Sequence, residues 1–195
     1  MPRRLAVDDR RQELLRFGEK LFAAHPVDAF SMAEIAEQAG VSKALLYHYF
    51  GNRRGYYVAV MQGIADQLRA AITPEPEYGF DEAFERALAR YLTFAREHPD
   101  VFRVLVQGGL GVDAEVAEIV EGTRRAAADF VRLKLGVKRP NAAVRIALAG
   151  WVAFAERACL TWLEGKEPNE AAMQRLLVDA LAPVRTAVNE MRGGK

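Results

Sequence analysis

Residues 31–50 read SMAEIAEQAGVSKALLYHYF. Ser31 and Glu34 stand at capping-box spacing, so a helix is expected to open at Met32. Ile35, Ala36 and Ala39 form its apolar face, and Ala36 is small enough for two helices to cross closely. Gly40 follows where the chain must leave the helix with positive φ. Val41 then points into the core between helices, and Ser42 is placed to cap a second helix opening at Lys43. That helix buries Leu46 and Phe50, one turn apart. A helix, a glycine turn and a second capped helix make helix-turn-helix geometry.

The other face of the second helix carries Lys43, Ala44, Leu45, Tyr47, His48 and Tyr49, an unusual set for a bland solvated surface. A helix in the major groove presents its N-terminal residues to base edges. There a lysine donates to guanine, and Ala44 and Leu45 meet thymine methyl groups. The tyrosine hydroxyls suit phosphates, which set register rather than sequence. Arg53 and Arg54 open the next helix, where a cation and free backbone amides together favour a phosphate. Arg3, Arg4, Arg10 and Arg11 add a basic N-terminal arm. The candidate DNA-contacting set is Ser31, Met32, Ser42, Lys43, Ala44, Leu45, Tyr47, His48, Tyr49 and Arg53.

The rest of the chain is read by breakers and period. It has 195 residues, 51% apolar and 27% charged, an ordinary globular composition. Lys+Arg number 27 and Asp+Glu 26, a net charge of +1, so bulk charge gives no argument for nucleic acid. Residues 1–54 hold nine basic against seven acidic residues, a small local excess. Apolar residues recur with helical period throughout. Leu14, Leu15, Gly18, Leu21 and Phe22 share one face, and no alternating strand is found. Short helices up to about residue 50 give way to long ones. An all-α chain of about nine helices is expected. Residues 1–54 would be a three-helix helix-turn-helix domain, with a core of Leu14, Leu15, Leu21, Phe22, Phe30, Ile35, Ala36, Ala39, Val41, Leu46 and Phe50. Residues 55–195 would be a C-terminal helical bundle.

Several functions are disfavoured by what is missing. One cysteine, Cys159, permits no internal disulfide and no cysteine-cluster metal site, and suits a reducing cytoplasm. His25, His48 and His98 lack partners at ligand spacing, so no metal is expected. No catalytic grouping or phosphate loop stands out, so no cofactor is expected. The longest uncharged apolar run, Ile146–Ala155, is shorter than the ~20 residues of a membrane helix. No membrane partner and no signal peptide are expected.

The stretch from Phe30 to Arg53 resembles the DNA-binding region of tetracycline-repressor-type (TetR-family) transcriptional regulators. The resemblance spans residues 10–62 and rests on Ile35-Ala36, Ala39-Gly40-Val41-Ser42, Leu46-Tyr47, Tyr49-Phe50 and a basic residue at 53. Leu45 stands where Thr or Ser is common, Arg53 replaces the usual Lys, and Gly55 sits where an acidic residue is frequent. The resemblance implies a homodimer on a palindromic double-stranded DNA operator. It further implies a C-terminal domain that binds a small-molecule effector and releases the DNA.

On that basis Met61, Phe84, Tyr91, Phe94, Phe102, Phe130, Trp151 and Phe154 are candidates to line an effector pocket, with an apolar or aromatic ligand preferred. The stretches 141–164 and 169–191 have apolar stripes wide enough to bury one side at home and another against a partner. Trp151, Cys159, Trp162, Leu177, Leu181, Val184 and Val188 are the candidate dimer interface, and Pro183 should kink the last helix. The expected function is a ligand-responsive repressor, not an enzyme. The competing reading is a helical small-molecule-binding protein or enzyme whose N-terminal helices are only structural. A regulator without an effector is a second rival.

Overall fold

The computed structural model describes residues 2–73, 79–108, 113–165 and 167–193, giving the backbone alone for residues 2–8, 80 and 108. Its elements are α1 (Pro2–Ala24), α2 (Met32–Gln38), α3 (Lys43–Phe50), α4 (Arg53–Ile72), α5 (Phe80–Glu97), α6 (Pro99–Gly108), α7 (Ala114–Lys134), α8 (Ala142–Glu164), α9 (Glu170–Asp179) and α10 (Ala182–Gly193). No strand occurs among the described residues. The all-α expectation is met. The ninth predicted helix is broken into α9 and α10, because Pro183 offers no N–H for a helical bond. Pro183 falls in the first turn of α10, where that loss costs least.

The chain forms two compact units, Met1–Gln67 with Asp100–Ile119, and Leu68–Pro99 with Val120–Lys195. The sequence boundary after residue 54 falls inside the first, because residues 53–67 of α4 wall its core. Tyr56 is fully buried, and its hydroxyl donates to the Leu14 carbonyl at 2.6 Å. Its ring lies 5.6 Å from Phe22 and 4.7 Å from Phe50. Gly18 is what lets α1 approach so closely, since a Cβ there would stand 2.5 Å from Val60 Cγ2 and 2.7 Å from the Tyr56 hydroxyl. Leu14, Leu15, Leu21, Phe22, Ile35, Ala36, Leu46 and Phe50 are buried as expected. Phe30, Ala39 and Val41 are only half-buried. Phe102 and Leu105 of α6 and Val116 of α7 complete this core.

In the second unit α8 packs on α10, and α5 packs on α8 and α9. Phe84, Leu88 and Leu92 of α5, Val144, Leu148, Trp151 and Val152 of α8, and Met173, Leu177, Leu181, Val184 and Val188 from α9, α10 and the turn between them are all buried. Asn141 and Asn169 cap α8 and α9, accepting from Val144 N at 2.9 Å and Ala172 N at 3.0 Å.

Candidate nucleic-acid interface

The caps predicted from the sequence build the interface. Ser31 Oγ accepts from Glu34 N at 3.3 Å, and Glu34 Oε2 accepts from Ser31 N at 2.8 Å, so α2 opens in a reciprocal capping box. These bonds favour the charged form of Glu34 and hold its carboxyl below the ordinary 4.5. Gly40 takes φ 65° after α2, and Val41 N reaches back to Ala36 O at 2.9 Å. Ser42 Oγ accepts from Leu45 N at 3.1 Å and opens α3.

Four capped residues of turn therefore fix α3 against α2, and α3 has two faces. Leu46 and Phe50 are buried, while Lys43, Ala44, Tyr47 and His48 are exposed and Leu45 and Tyr49 half-buried. The Lys43 ammonium stands 5.7 Å from the centroid of the Tyr47 ring, and His48 lies 5.5 Å from Tyr49. A cation, a ring hydroxyl, an imidazole and a methyl group thus lie exposed on α3, with half-buried Tyr49 beside them, the chemistry that base edges and phosphates need.

Met32, expected at this interface, is buried instead at 5% exposure. It is the first helical residue of α2, and its long apolar side chain gains more inside the core than beside DNA. Ser31 and Ser42 are exposed, with their hydroxyls engaged in caps. Arg53 is half-buried and donates to the Asp28 carbonyl at 3.4 Å. Arg54 is held by Asp113 and Glu115. The N-terminal arm is replaced by α1. Arg10 pairs with Glu13 at 2.8 Å, and Arg11 lies 5.6 Å from the Phe50 ring centroid. The side chains of Arg3 and Arg4 are outside those described.

Gly55, which sits where an acidic residue is frequent in the family this stretch resembles, is tightly placed. A Cβ there would stand 2.3 Å from the Phe50 carbonyl oxygen, so the glycine lets α3 turn sharply into α4. Asn52 completes that turn by accepting from Gly55 N at 2.8 Å.

The matches to known proteins agree with this geometry. Residues 14–60 match the family model described as bacterial regulatory proteins, tetR family, and residues 80–192 match the tetracyclin repressor-like C-terminal domain. The chain belongs to the tetracycline-repressor family. TetR-family proteins are ligand-responsive, DNA-binding transcriptional regulators. The HTH-type transcriptional activator FasR of Mycolicibacterium smegmatis is 27% identical over 171 residues, spanning 85% of this chain and 77% of the relative. A tetR-family regulator from Streptomyces coelicolor superposes with a TM-score of 0.79 at 29% identity, over 93% of this chain and 83% of that one. FadR from Bacillus subtilis in complex with stearoyl-CoA shares the fold, with a TM-score of 0.66 at 14% identity over 88% of this chain and 97% of FadR.

The residues assigned from the sequence to effector and dimer surfaces of this TetR-family chain are distributed as follows. Met61 and Phe102 belong to the first unit and the other six pocket candidates to the second. Phe84 and Trp151 pack ring to ring at 5.5 Å in the core. Phe94 is buried and Phe130 half-buried, whereas Phe154 is 40% exposed on α8. Burial pushes the Tyr91 hydroxyl well above its usual range, with the neighbouring Cys159 and Glu156 adding to the shift. A hollow of about 390 Å³ in this unit is lined by Ala70, Ala71, Arg90, Thr93, Phe94 and Glu97, so Phe94 is the one pocket candidate that borders it.

The dimer candidates Trp151, Cys159, Leu177, Leu181, Val184 and Val188 are buried within the chain itself. Trp151 Nε1 donates to Leu177 O at 3.0 Å, and half-buried Trp162 donates to Pro168 O at 2.7 Å. Their stripe is the intrachain one. The opposite face of α8 exposes Ile146, Ala149, Gly150, Ala153 and Phe154. By length and composition α8 is also long and apolar enough to cross a membrane, although charges interrupt it, and 33% of its most apolar stretch is buried.

Proposed function

We propose that this TetR-family regulator is a homodimeric repressor of the cytoplasm, bound to a palindromic operator and released by a small apolar or aromatic effector. The observation that carries it is the face of α3, where Lys43, Ala44, Tyr47 and His48 stand clear of a core that needs only Leu46 and Phe50. Two-fold symmetry would set two such helices one DNA turn apart, ~34–36 Å. A second copy is favoured by α8, where exposed Ile146, Ala149, Gly150, Ala153 and Phe154 form a patch of small and apolar residues that invites close helix crossing. Arg145, Glu156 and Arg157 on that helix, with Glu156 accepting from Arg124 at 3.0 Å, favour a protein neighbour over lipid. FadR, bound to stearoyl-CoA, supports an effector with a long apolar part. The effector acts by preferring one spacing of the two α3 helices while DNA prefers another, a coupling of ~1–3 kcal/mol in typical cases.

Mobility-shift titration on DNA upstream of the gene tests the reading. Lys43→Ala should cost ~1–3 kcal/mol and relax preference at one base pair. Arg53→Ala should weaken all sequences alike and reduce the slope of log affinity against log salt by about 0.9. An unchanged slope would remove Arg53 from the phosphate contacts.

A further inference from the structure

Arg54 follows the candidate phosphate contact Arg53, and its charge is already met. Its Nε donates to Asp113 Oδ2 at 2.6 Å and its Nη2 to Asp113 Oδ1 at 2.9 Å, and Nη2 also lies 3.1 Å from Glu115 Oε2. A two-bond fork of this kind fixes direction as well as distance. The same carboxylate caps α7, accepting from Glu115 N at 3.0 Å and Val116 N at 3.4 Å. Its side chain is 15% exposed, against 59% for Arg54. The Arg54 guanidinium holds the Asp113 carboxyl below its usual range, and Asp113 in turn raises Arg54, so the pair stays charged at neutral pH.

One carboxylate therefore ties the first turn of α4 to the first turn of α7 inside a single compact unit. The first turn of α4 is also where Gly55 sits against the end of α3 and where Arg53 reaches the Asp28 carbonyl. Exposed ion pairs contribute little to stability, so the consequence of this one is geometric.

We propose that Asp113 is a positioning residue for DNA binding that acts through Arg54, clamping the first turn of α4 and so fixing Arg53 and the end of α3 relative to the DNA. The proposal rests on the DNA-binding reading above. Arg54 itself is no phosphate contact, because Asp113 and Glu115 neutralise it.

The test uses the full-length chain, a duplex enriched from a randomised library by the unaltered protein, and a scrambled duplex of equal length. Affinities are taken between about 50 and 200 mM salt. Arg54→Gln and Asp113→Asn should each lower the preference for the enriched duplex about five- to tenfold, and the double variant should lose no more than either alone. The salt slope should stay as in the unaltered protein. Asparagine keeps a side-chain cap on α7, so melting temperatures should match. Arg54→Lys should not restore the preference, since an ammonium cannot form the fork. A slope reduced by about 0.9 in Arg54→Gln would make Arg54 a phosphate contact and overturn the proposal. Additive losses, or preferences unchanged in both variants, would overturn it too. No enrichment by the unaltered chain would overturn the DNA-binding reading as well, which separates the two failures.

Discussion

Gly18 shows how a single absent atom sets the first unit. A methyl group there would meet Val60 and Tyr56 at 2.5–2.7 Å, and Tyr56 cannot retreat without breaking its bond to Leu14. Gly18→Ala should lower stability by about 1–3 kcal/mol, read as a shifted midpoint in chemical unfolding. A neutral or stabilised variant would mean that α1 and α4 slide apart freely. Cys159 is a second such position. Burial pushes its thiol up to about 12, with the Tyr91 hydroxyl opposing the shift. Almost no thiolate exists at about pH 8, so iodoacetamide should label the folded chain far more slowly than the unfolded one. Equal rates would place the sulfur at the surface.

At the scale of elements, α2 depends on its cap. Ser31→Ala removes a side-chain bond to Glu34 N and should cost about 1 kcal/mol, measured by thermal unfolding. Glu34 gives the cap a pH dependence. Its folded-state carboxyl lies below the ordinary 4.5, so its contribution is complete above that value and is lost as pH falls through the depressed folded-state pKa. The stability advantage of the unaltered chain over Glu34→Gln should therefore be constant near neutrality and fade on the acid side of 4.5. An advantage that grew on acidification would contradict the bonding described. These helix ends were legible in the sequence because a cap joins residues three apart. The break between α9 and α10 was anticipated as a kink at Pro183, since a missing N–H is equally local.

For the whole molecule, the question is which apolar surface a second copy would cover. The face of α8 with Ile146, 72% exposed, and Phe154, 40% exposed, has no cover among the described residues. Ala153→Glu, on that face and away from the core, should turn a dimer into a monomer in sedimentation without loss of helix content. Leu181 and Val184 substitutions should unfold the second unit instead, because those side chains are fully buried at home. Dimeric Ala153→Glu would move the interface off α8. Hydrophobic period told that 141–164 and 169–191 bury wide stripes; most residues of the stripe it offered to a partner are buried within the chain, because periodicity marks that a face is covered and not by what.

The sequence alone determined the helices, their caps, the glycine turn between α2 and α3, and the family, because each depends on residues a few positions apart. Tertiary structure decided that Met32 joins the core, that residues 53–67 of α4 belong to the first unit, that the pocket candidates divide between two units, and that Arg54 is clamped by Asp113 across 59 residues. Those outcomes depend on which distant surfaces meet, and a helical period is the same whether a face meets its own chain, a second copy or water.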